Sequence, residues 1–289
     1  MVALLFASGL CAGEVVSGVA PGEVAEPDLM AQWPLAGLVL QLLGLCADGY
    51  LLARWRRCRG VGSKPWGLSV LAVAVGISTA VFLSVGMAGM VLRLQPPAML
   101  LTLATAELLL GGIFLFCLRL ERVSWCDAFG LREVPVVRAA LQGAIFFVAV
   151  QPPLFALGTL RDWLYRVLGW KLTVQDLVGK LMTTDSLALI LVVSGFAVVV
   201  APLCEEVFFR GLAYPALKQR LGAPLAMTVV SVLFAVIHFH APSVPLLLLL
   251  AFGLTLAYEY SGSLVAPVTM HALFNLLNLV AILLYRAQA

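Results

Sequence analysis

The sequence predicts an all-α protein, a polytopic bundle of about eight transmembrane helices. Of its 289 residues, 62% are hydrophobic and only 11% are charged, whereas soluble domains carry roughly 25% charged residues. Apolar runs of about 20 residues, the length that crosses a bilayer as a helix, recur along the chain. The net charge of +3 is small, and the basic residues cluster beside apolar runs. This pattern indicates membrane topology and argues against a nucleic-acid partner.

The N-terminal part of the chain divides into a tail and four expected spans. Residues 1–30 begin apolar and then turn acidic, without the basic start of a signal peptide. We expect a weakly structured tail outside the membrane. The Pro152-Pro153 pair is expected to kink or break the fourth span. The eight spans are expected at residues 34–52, 68–92, 98–118, 139–160, from 186 onward, 223–239, 246–258 and 264–284.

Charge and aromatic residues predict the orientation of these spans. A dense basic cluster between Arg54 and Lys64 follows the first span, and four arginines between residues 119 and 138 follow the third. By the positive-inside rule both loops are cytoplasmic, which places both termini outside. Residues 161–185 mix charges with Trp163, Tyr165 and Trp170, and indicate an outer loop with an interfacial amphipathic helix.

Two adjacent carboxylates, Glu205 and Glu206, lie inside a long apolar run. The sequence from Leu187 to Cys204 contains no charged residue. Because an ionised carboxylate costs roughly 2.5–3.5 kcal/mol near the middle of a bilayer, charges retained there are candidates for a functional site. The alternative is a helix that ends at the membrane surface, where these carboxylates are solvated.

The spacing of charges separates the two carboxylates. Glu206 and Arg210 are four residues apart and share a helix face, so the guanidinium can neutralise this carboxylate. Glu205 points about 100° away from Glu206. This direction keeps Glu205 off the face of Arg210 and suits it to act as a general base.

All three histidines lie in the last third of the chain. If residues 218–222 mark the inner boundary, Glu205 lies about 20 Å and His238 about 24 Å along neighbouring helices, and His271 about 12 Å along the last helix. We expect these three side chains to line one cavity. The expectation requires that the fifth helix continue past Cys204, although Pro202 and Gly211 offer breaks in a run of about 48 Å.

Further side chains join this candidate site by their spacing. His271 and Asn275 share a helix face, and the Asn275 amide can hydrogen-bond a carbonyl or an oxyanion. Phe234 lies four residues before His238 and is expected to pack beside its imidazole. His240 faces away from His238 and is interpreted as an interfacial residue. The six cysteines form no C-x-x-C pair and are interpreted as packing thiols.

Three motifs occur in a recognisable order: Glu-Glu-x-x-x-Arg at 205–210, Phe-x-x-x-His at 234–238 and His-x-x-x-Asn at 271–275. Together they resemble the CPBP family, which groups CAAX prenyl proteases with bacteriocin-processing and Abi-type membrane proteins. The resemblance covers about residues 186–284, and the earlier spans resemble the family only in being apolar. It divides the chain into N-terminal transmembrane helices with the outer amphipathic loop (31–185) and a CPBP-like catalytic core (186–289).

The resemblance implies an intramembrane endopeptidase. Glu205 would be the base that activates a water molecule, His238 would hold that water, and His271 and Asn275 would stabilise the oxyanion. Glu206, Arg210 and Phe234 are expected to be structural support.

Zinc is the alternative cofactor at this site. Glu205, His238 and His271 offer one carboxylate and two imidazoles, the ligand set of a catalytic zinc site with an open fourth position. If Glu205 bound zinc, another base would be needed, because Glu206 is expected to pair with Arg210. We therefore favour the metal-free mechanism and keep the zinc protease as the alternative.

The expected surroundings are the lipid bilayer of a bacterial cytoplasmic membrane, with the chain as a multi-pass integral protein. The expected substrate is a membrane-associated peptide or protein, such as a prenylated tail, a leader peptide or a membrane anchor. Two alternatives come from other classes: a non-catalytic peptide-sequestering or immunity protein, and a proton-coupled transporter. A transporter would predict inverted repeats, which the sequence does not show.

Overall fold

The described part of the protein consists of helices joined by turns and short loops. The computed structural model describes residues 34–54, 60–62, 64, 66–91, 105, 108, 111–112 and 124–288, and these residues form no β-strand. The predicted all-α class is confirmed. The helices are α1 (Pro34–Arg54), α2 (Leu68–Val91), α3 (Trp125–Ala128), α4 (Val136–Ala149), α5 (Gln151–Val167), α6 (Asp176–Thr183), α7 (Leu187–Leu221), α8 (Ala223–Val236), a 3₁₀ turn (Ala241–Ser243), α9 (Val244–Ser261) and α10 (Val265–Gln288).

Five described helical segments are long and apolar enough to cross a membrane. They are Leu35–Arg54, Val136–Val167, Leu187–Leu221, Ala241–Ser261 and Val265–Ala287, and the shorter apolar helices are Leu68–Ile77 and Ala223–Val236. Most of the predicted third span (98–118) and the predicted tail (1–30) lie outside the described residues. The count of about eight spans therefore stays a prediction, whereas the multi-pass helical architecture is present.

The fourth span was predicted to kink or break at Pro152-Pro153, and its helix is interrupted at Val150. Helix α4 ends at Ala149 and α5 begins at Gln151, immediately before Pro152-Pro153. Prolines are tolerated in the first turn of a helix, where their missing N–H has no partner to lose. The predicted outer loop begins later than expected, because α5 extends past residue 160 to Val167. The expected amphipathic helix is present as α6.

Helix α10 packs against several other helices of the described part. It contacts α4, α9, α6 and the middle of α7, while α8 packs against α9 and the end of α7. Glycine makes the closest of these approaches possible, since a Cβ at Gly143 of α4 would clash with the carbonyl oxygen of Ala266 in α10. This packing brings side chains from α7, the end of α8, α9 and α10 into one region.

A buried carboxylate ties the loop after α1 to the ends of α7 and α9. Glu259 accepts hydrogen bonds from the Tyr214 hydroxyl at 2.6 Å and from Lys218 Nζ at 2.5 Å. Its second oxygen accepts the backbone N–H of Val61 at 3.1 Å. The sequence analysis did not single out Glu259, although an acidic residue between two tyrosines at the end of an apolar run was an available signal.

We expect Glu259→Gln to lower the free energy of unfolding by about 2 kcal/mol, because the Lys218 ammonium, only 24% exposed, loses its counter-charge. Asp127→Asn is the matched control. Asp127 pairs with Arg132 at 3.4 Å, but both side chains are more than half exposed, so this change should cost under about 1 kcal/mol. Thermal unfolding of the detergent-solubilised variants measures both. Equal melting temperatures for the two variants would contradict the role of Glu259 as the buried counter-charge of Lys218.

Candidate functional site

Helix α7 carries the two adjacent carboxylates and continues well beyond them. It runs from Leu187 to Leu221 without ending at Cys204, and the Ser186 hydroxyl accepts the Leu189 N–H at its start. Glu205 and Glu206 are both buried. The alternative of a helix that ends in solvated carboxylates is therefore wrong. Breaks at Pro202 and Gly211 are also wrong, because the helix widens around both positions instead.

The widening takes the form of two π-helical segments on either side of the carboxylates. The first covers Phe196–Val200 and the second Val207–Ala213. The first segment ends two residues before Pro202, and the second ends two residues before Pro215. A proline inside an α-helix lacks the N–H of the ladder and clashes with the carbonyl four residues back. A wider turn relieves the clash and keeps the helix continuous, and such turns are frequent at functional sites.

The predicted ion pair between Glu206 and Arg210 forms at the centre of the bundle. Arg210 Nη1 donates to Glu206 Oε1 at 2.9 Å, and neither side chain is exposed. Arg210 Nη2 donates to the Ala251 carbonyl at 2.9 Å, and Nε to the Thr255 hydroxyl at 3.4 Å. The guanidinium thus uses all three of its nitrogens, which a buried cation requires.

Glu206 also contacts His271 of α10. His271 Nδ1 lies 2.8 Å from the same Oε1 atom that accepts from Arg210. Because a carboxylate beside an arginine is ionised and can only accept, Nδ1 carries the proton. The other ring nitrogen, Nε2, is the second polar atom of this imidazole. Glu206 therefore fixes both the tautomer and the orientation of this imidazole.

His238 lies in the turn that follows α8, not on the helix as predicted. The helix ends at Val236, and Phe239 has a positive φ of 49°. His238 Nδ1 lies 2.7 Å from the Phe234 carbonyl. Since a carbonyl can only accept, Nδ1 carries the proton and Nε2 keeps a lone pair that can accept a hydrogen bond.

Phe234 packs between the charged and the imidazole side chains. Its ring centroid lies 4.9 Å from that of His238 and 5.7 Å from that of His271. The Arg210 guanidinium lies 4.9 Å from the ring centroid, a distance at which cation–π attraction is significant. The ring is fully buried. The expected packing of Phe234 beside the His238 imidazole is present, and the contacts to His271 and Arg210 extend it.

Glu205 lies within electrostatic range of His238, His271 and Arg210. That these three side chains line one cavity stays a prediction. Among the described residues, however, no three His, Cys, Asp or Glu side chains form a group that could hold a metal ion.

Asn275 forms a hydrogen bond with the backbone of another helix, and His240 lies within hydrogen-bond distance of two hydroxyl groups. Asn275 Nδ2 donates to the Ala197 carbonyl of α7 at 2.7 Å. His240 Nδ1 lies 2.7 Å from the Ser243 hydroxyl, and Nε2 lies 3.1 Å from the Thr173 hydroxyl. His240 thus joins the loop before α6 to the turn before α9.

Sequence reasoning missed the partners that come from α9. Thr255 and the Ala251 carbonyl both bind Arg210, and the Thr255 hydroxyl also donates to the Ala251 carbonyl at 2.9 Å. A single threonine in an apolar run is the only sequence signal for this contact. The contact of His271 with Glu206 had no signal in local spacing, because the residues are 65 positions apart.

The comparison with protein families identifies this part of the chain. Residues 186–277 match the family model described as type II CAAX prenyl endopeptidase, Rce1-like. This segment is therefore similar to the Rce1-like CAAX prenyl endopeptidases, in agreement with the resemblance of its motifs to the CAAX protease family. The match supports intramembrane protease activity and an integral membrane protein. Comparisons with curated proteins and with solved structures gave no match.

We expect Arg210→Met to lower the free energy of unfolding by about 3 kcal/mol, because it leaves the buried Glu206 charge without a cation. Adding Glu206→Gln removes that charge, so the double variant should be more stable than Arg210→Met alone. Thermal unfolding in detergent gives the three values of this double-mutant cycle. If the loss of unfolding free energy in the double variant equalled the sum of the losses in the two single variants, a direct ion pair would be contradicted.

Proposed function

We propose that the protein is an intramembrane endopeptidase that hydrolyses a peptide bond of a membrane-associated protein or peptide. The observation that carries the proposal is the placement of a buried Glu205 within electrostatic range of two oriented imidazoles. This arrangement lies within the segment that matches a protease family. A carboxylate and histidines in one buried region are groups that general acid–base chemistry uses.

In the proposed first step, Glu205 and His238 hold the attacking water. The Nε2 lone pair of His238 accepts one hydrogen of the water, and the Glu205 carboxylate accepts the other. Glu205 then takes the proton as the oxygen attacks the carbonyl carbon of the scissile bond. This attack forms a tetrahedral intermediate and leaves Glu205 as the neutral acid.

In the proposed second step, the oxyanion is stabilised and the amine leaves. Since Glu206 keeps the proton of His271 on Nδ1, His271 can donate to an oxyanion through Nε2 only when both of its nitrogens are protonated. Asn275 has a second N–H on Nδ2 and can add another donor. The Glu205 acid returns its proton to the leaving nitrogen as the carbon–nitrogen bond breaks.

The proposed chemistry needs no metal ion. Glu205 acts on water directly, and Arg210 supplies a buried positive charge within electrostatic range of it. The zinc version of the same protease, with Glu205, His238 and His271 as the ligands, is the alternative.

The family description supports a lipid-modified substrate. Type II CAAX prenyl endopeptidases are named for cleavage beside a prenylated cysteine, and such a tail lies at the membrane surface. A leader peptide and a membrane anchor are the other candidates of the same class. We place the protein in a bacterial cytoplasmic membrane, surrounded by lipid, without a nucleic-acid partner. The peptide-sequestering protein and the proton-coupled transporter are disfavoured by the family match.

We expect Glu205→Gln to lower kcat by on the order of 1000-fold, because the amide cannot accept the proton of the water. The melting temperature should change little. Cys204→Ser is the matched control on the adjacent residue and should cleave at the wild-type rate. Cleavage is measured in proteoliposomes on three fluorogenic peptides: one ending in a farnesylated CAAX sequence, its unlipidated counterpart, and a leader-like peptide.

The outcomes separate the candidate functions. Full activity of Glu205→Gln would reject Glu205 as the base. Loss of activity in Cys204→Ser alone would indicate a cysteine nucleophile instead. Peptide binding without cleavage by the wild-type protein would favour the sequestering alternative.

A further inference from the structure

One carbonyl oxygen of α7 cannot be paired within its own helix. In the first π-helical segment the Ala201 N–H bonds the Phe196 carbonyl, five residues back. By the same spacing the Ala197 carbonyl would accept from residue 202, but Pro202 has no N–H. The Ala201 N–H, which would serve Ala197 in an ordinary α-helix, is already used. An unpaired buried carbonyl is costly, above all in a membrane.

Asn275 of α10 supplies the missing donor. Its Nδ2 lies 2.7 Å from the Ala197 carbonyl oxygen, a short and therefore strong contact for an amide. The two residues are 78 positions apart, so the bond joins separate helices. This bond lies where the backbone hydrogen bonds of α7 change from π-helical to α-helical spacing.

The π spacing determines the direction of the residues that follow. A π turn inserts one residue without adding rotation, so its loss would turn the downstream residues by about 100° about the helix axis. Glu205 is three residues after Pro202, so after this rotation its side chain would point about where that of an adjacent residue points now. The distance of Glu205 from both imidazoles therefore depends on retention of this π turn.

We propose that Asn275 is a positioning residue for Glu205, which acts by pairing the Ala197 carbonyl and so maintaining the π turn. This role differs from donation to an oxyanion, because it works through α7 and operates without substrate. The inference rests on the proposed function only in naming Glu205 as the base. The direction of α7 itself can be measured without any catalytic assay.

The experiment uses Cys204, the neighbour of Glu205, as a reporter of helix direction. Its alkylation by N-ethylmaleimide in the full-length, detergent-solubilised protein is followed by mass spectrometry of the peptide that contains it. Cys204 is half-buried and lies between the exposed Leu203 and the buried Glu205, so a rotation changes its surroundings. Asn275→Ala should change the Cys204 rate by about tenfold, the shift expected when a part-buried carbonyl loses its donor.

Asn278→Ala is the matched control one turn along α10. Asn278 is exposed and donates to the Phe274 carbonyl of its own helix at 2.8 Å, so its loss should leave the Cys204 rate unchanged. A second variant tests the mechanism. Pro202→Ala restores an N–H five residues after Ala197, and we expect Asn275→Ala/Pro202→Ala to recover the wild-type rate.

The outcomes are decisive for this inference and separate from the proposed function. An unchanged Cys204 rate in Asn275→Ala, with slower peptide cleavage, would leave only an oxyanion role and overturn the inference. The inference would also be overturned if Asn275→Ala changed the Cys204 rate and the added Pro202→Ala did not restore it. In that case Asn275 would not act by pairing the Ala197 carbonyl. Wild-type protein that cleaves no peptide would reject the proposed function but not the role of Asn275.

Discussion

The site depends on a single buried oxygen atom, Oε1 of Glu206. This atom accepts hydrogen bonds from Arg210 of the same helix and from His271 of α10. A buried carboxylate is tolerated only where cations and donors satisfy it. Oε1 of Glu206 is satisfied in this way, whereas Oε2 has no hydrogen-bond partner among the described residues. Arg210 then reaches the Ala251 carbonyl of α9. One ion pair thus connects three helices and orients one imidazole of the candidate site.

Two adjacent glutamates acquire different tasks from the geometry of one helix. Their directions differ by about 100°, so Glu206 lies among its structural partners while Glu205 lies near His238 and His271. The π-helical segments on both sides of the pair allow α7 to pass two prolines without ending. The chemistry that we propose for Glu205 is possible because Glu206 provides the charge balance and the imidazole orientation in its vicinity.

Local spacing predicted the contacts that lie within one helix or turn. The Glu206–Arg210 pair and the approach of Phe234 to His238 both follow from a separation of four residues. The contacts of His271 with Glu206 and of Asn275 with Ala197 could not be predicted this way, since they depend on how helices pack. The continuity of α7 was also unpredictable, because a proline favours a break unless a wider turn and a donor from another helix compensate. Glu259 was missed because its partners come from a distant loop.

The central claim is that Glu206 holds the His271 imidazole with its proton on Nδ1. Solid-state ¹⁵N NMR of histidine-labelled protein in lipid bilayers measures the protonation of each ring nitrogen, with His271→Gln used to assign the signals. The account predicts a protonated Nδ1 at His271 in the wild-type protein and loss of that preference in Glu206→Gln. A wild-type His271 with a bare Nδ1 and a protonated Nε2 would contradict it.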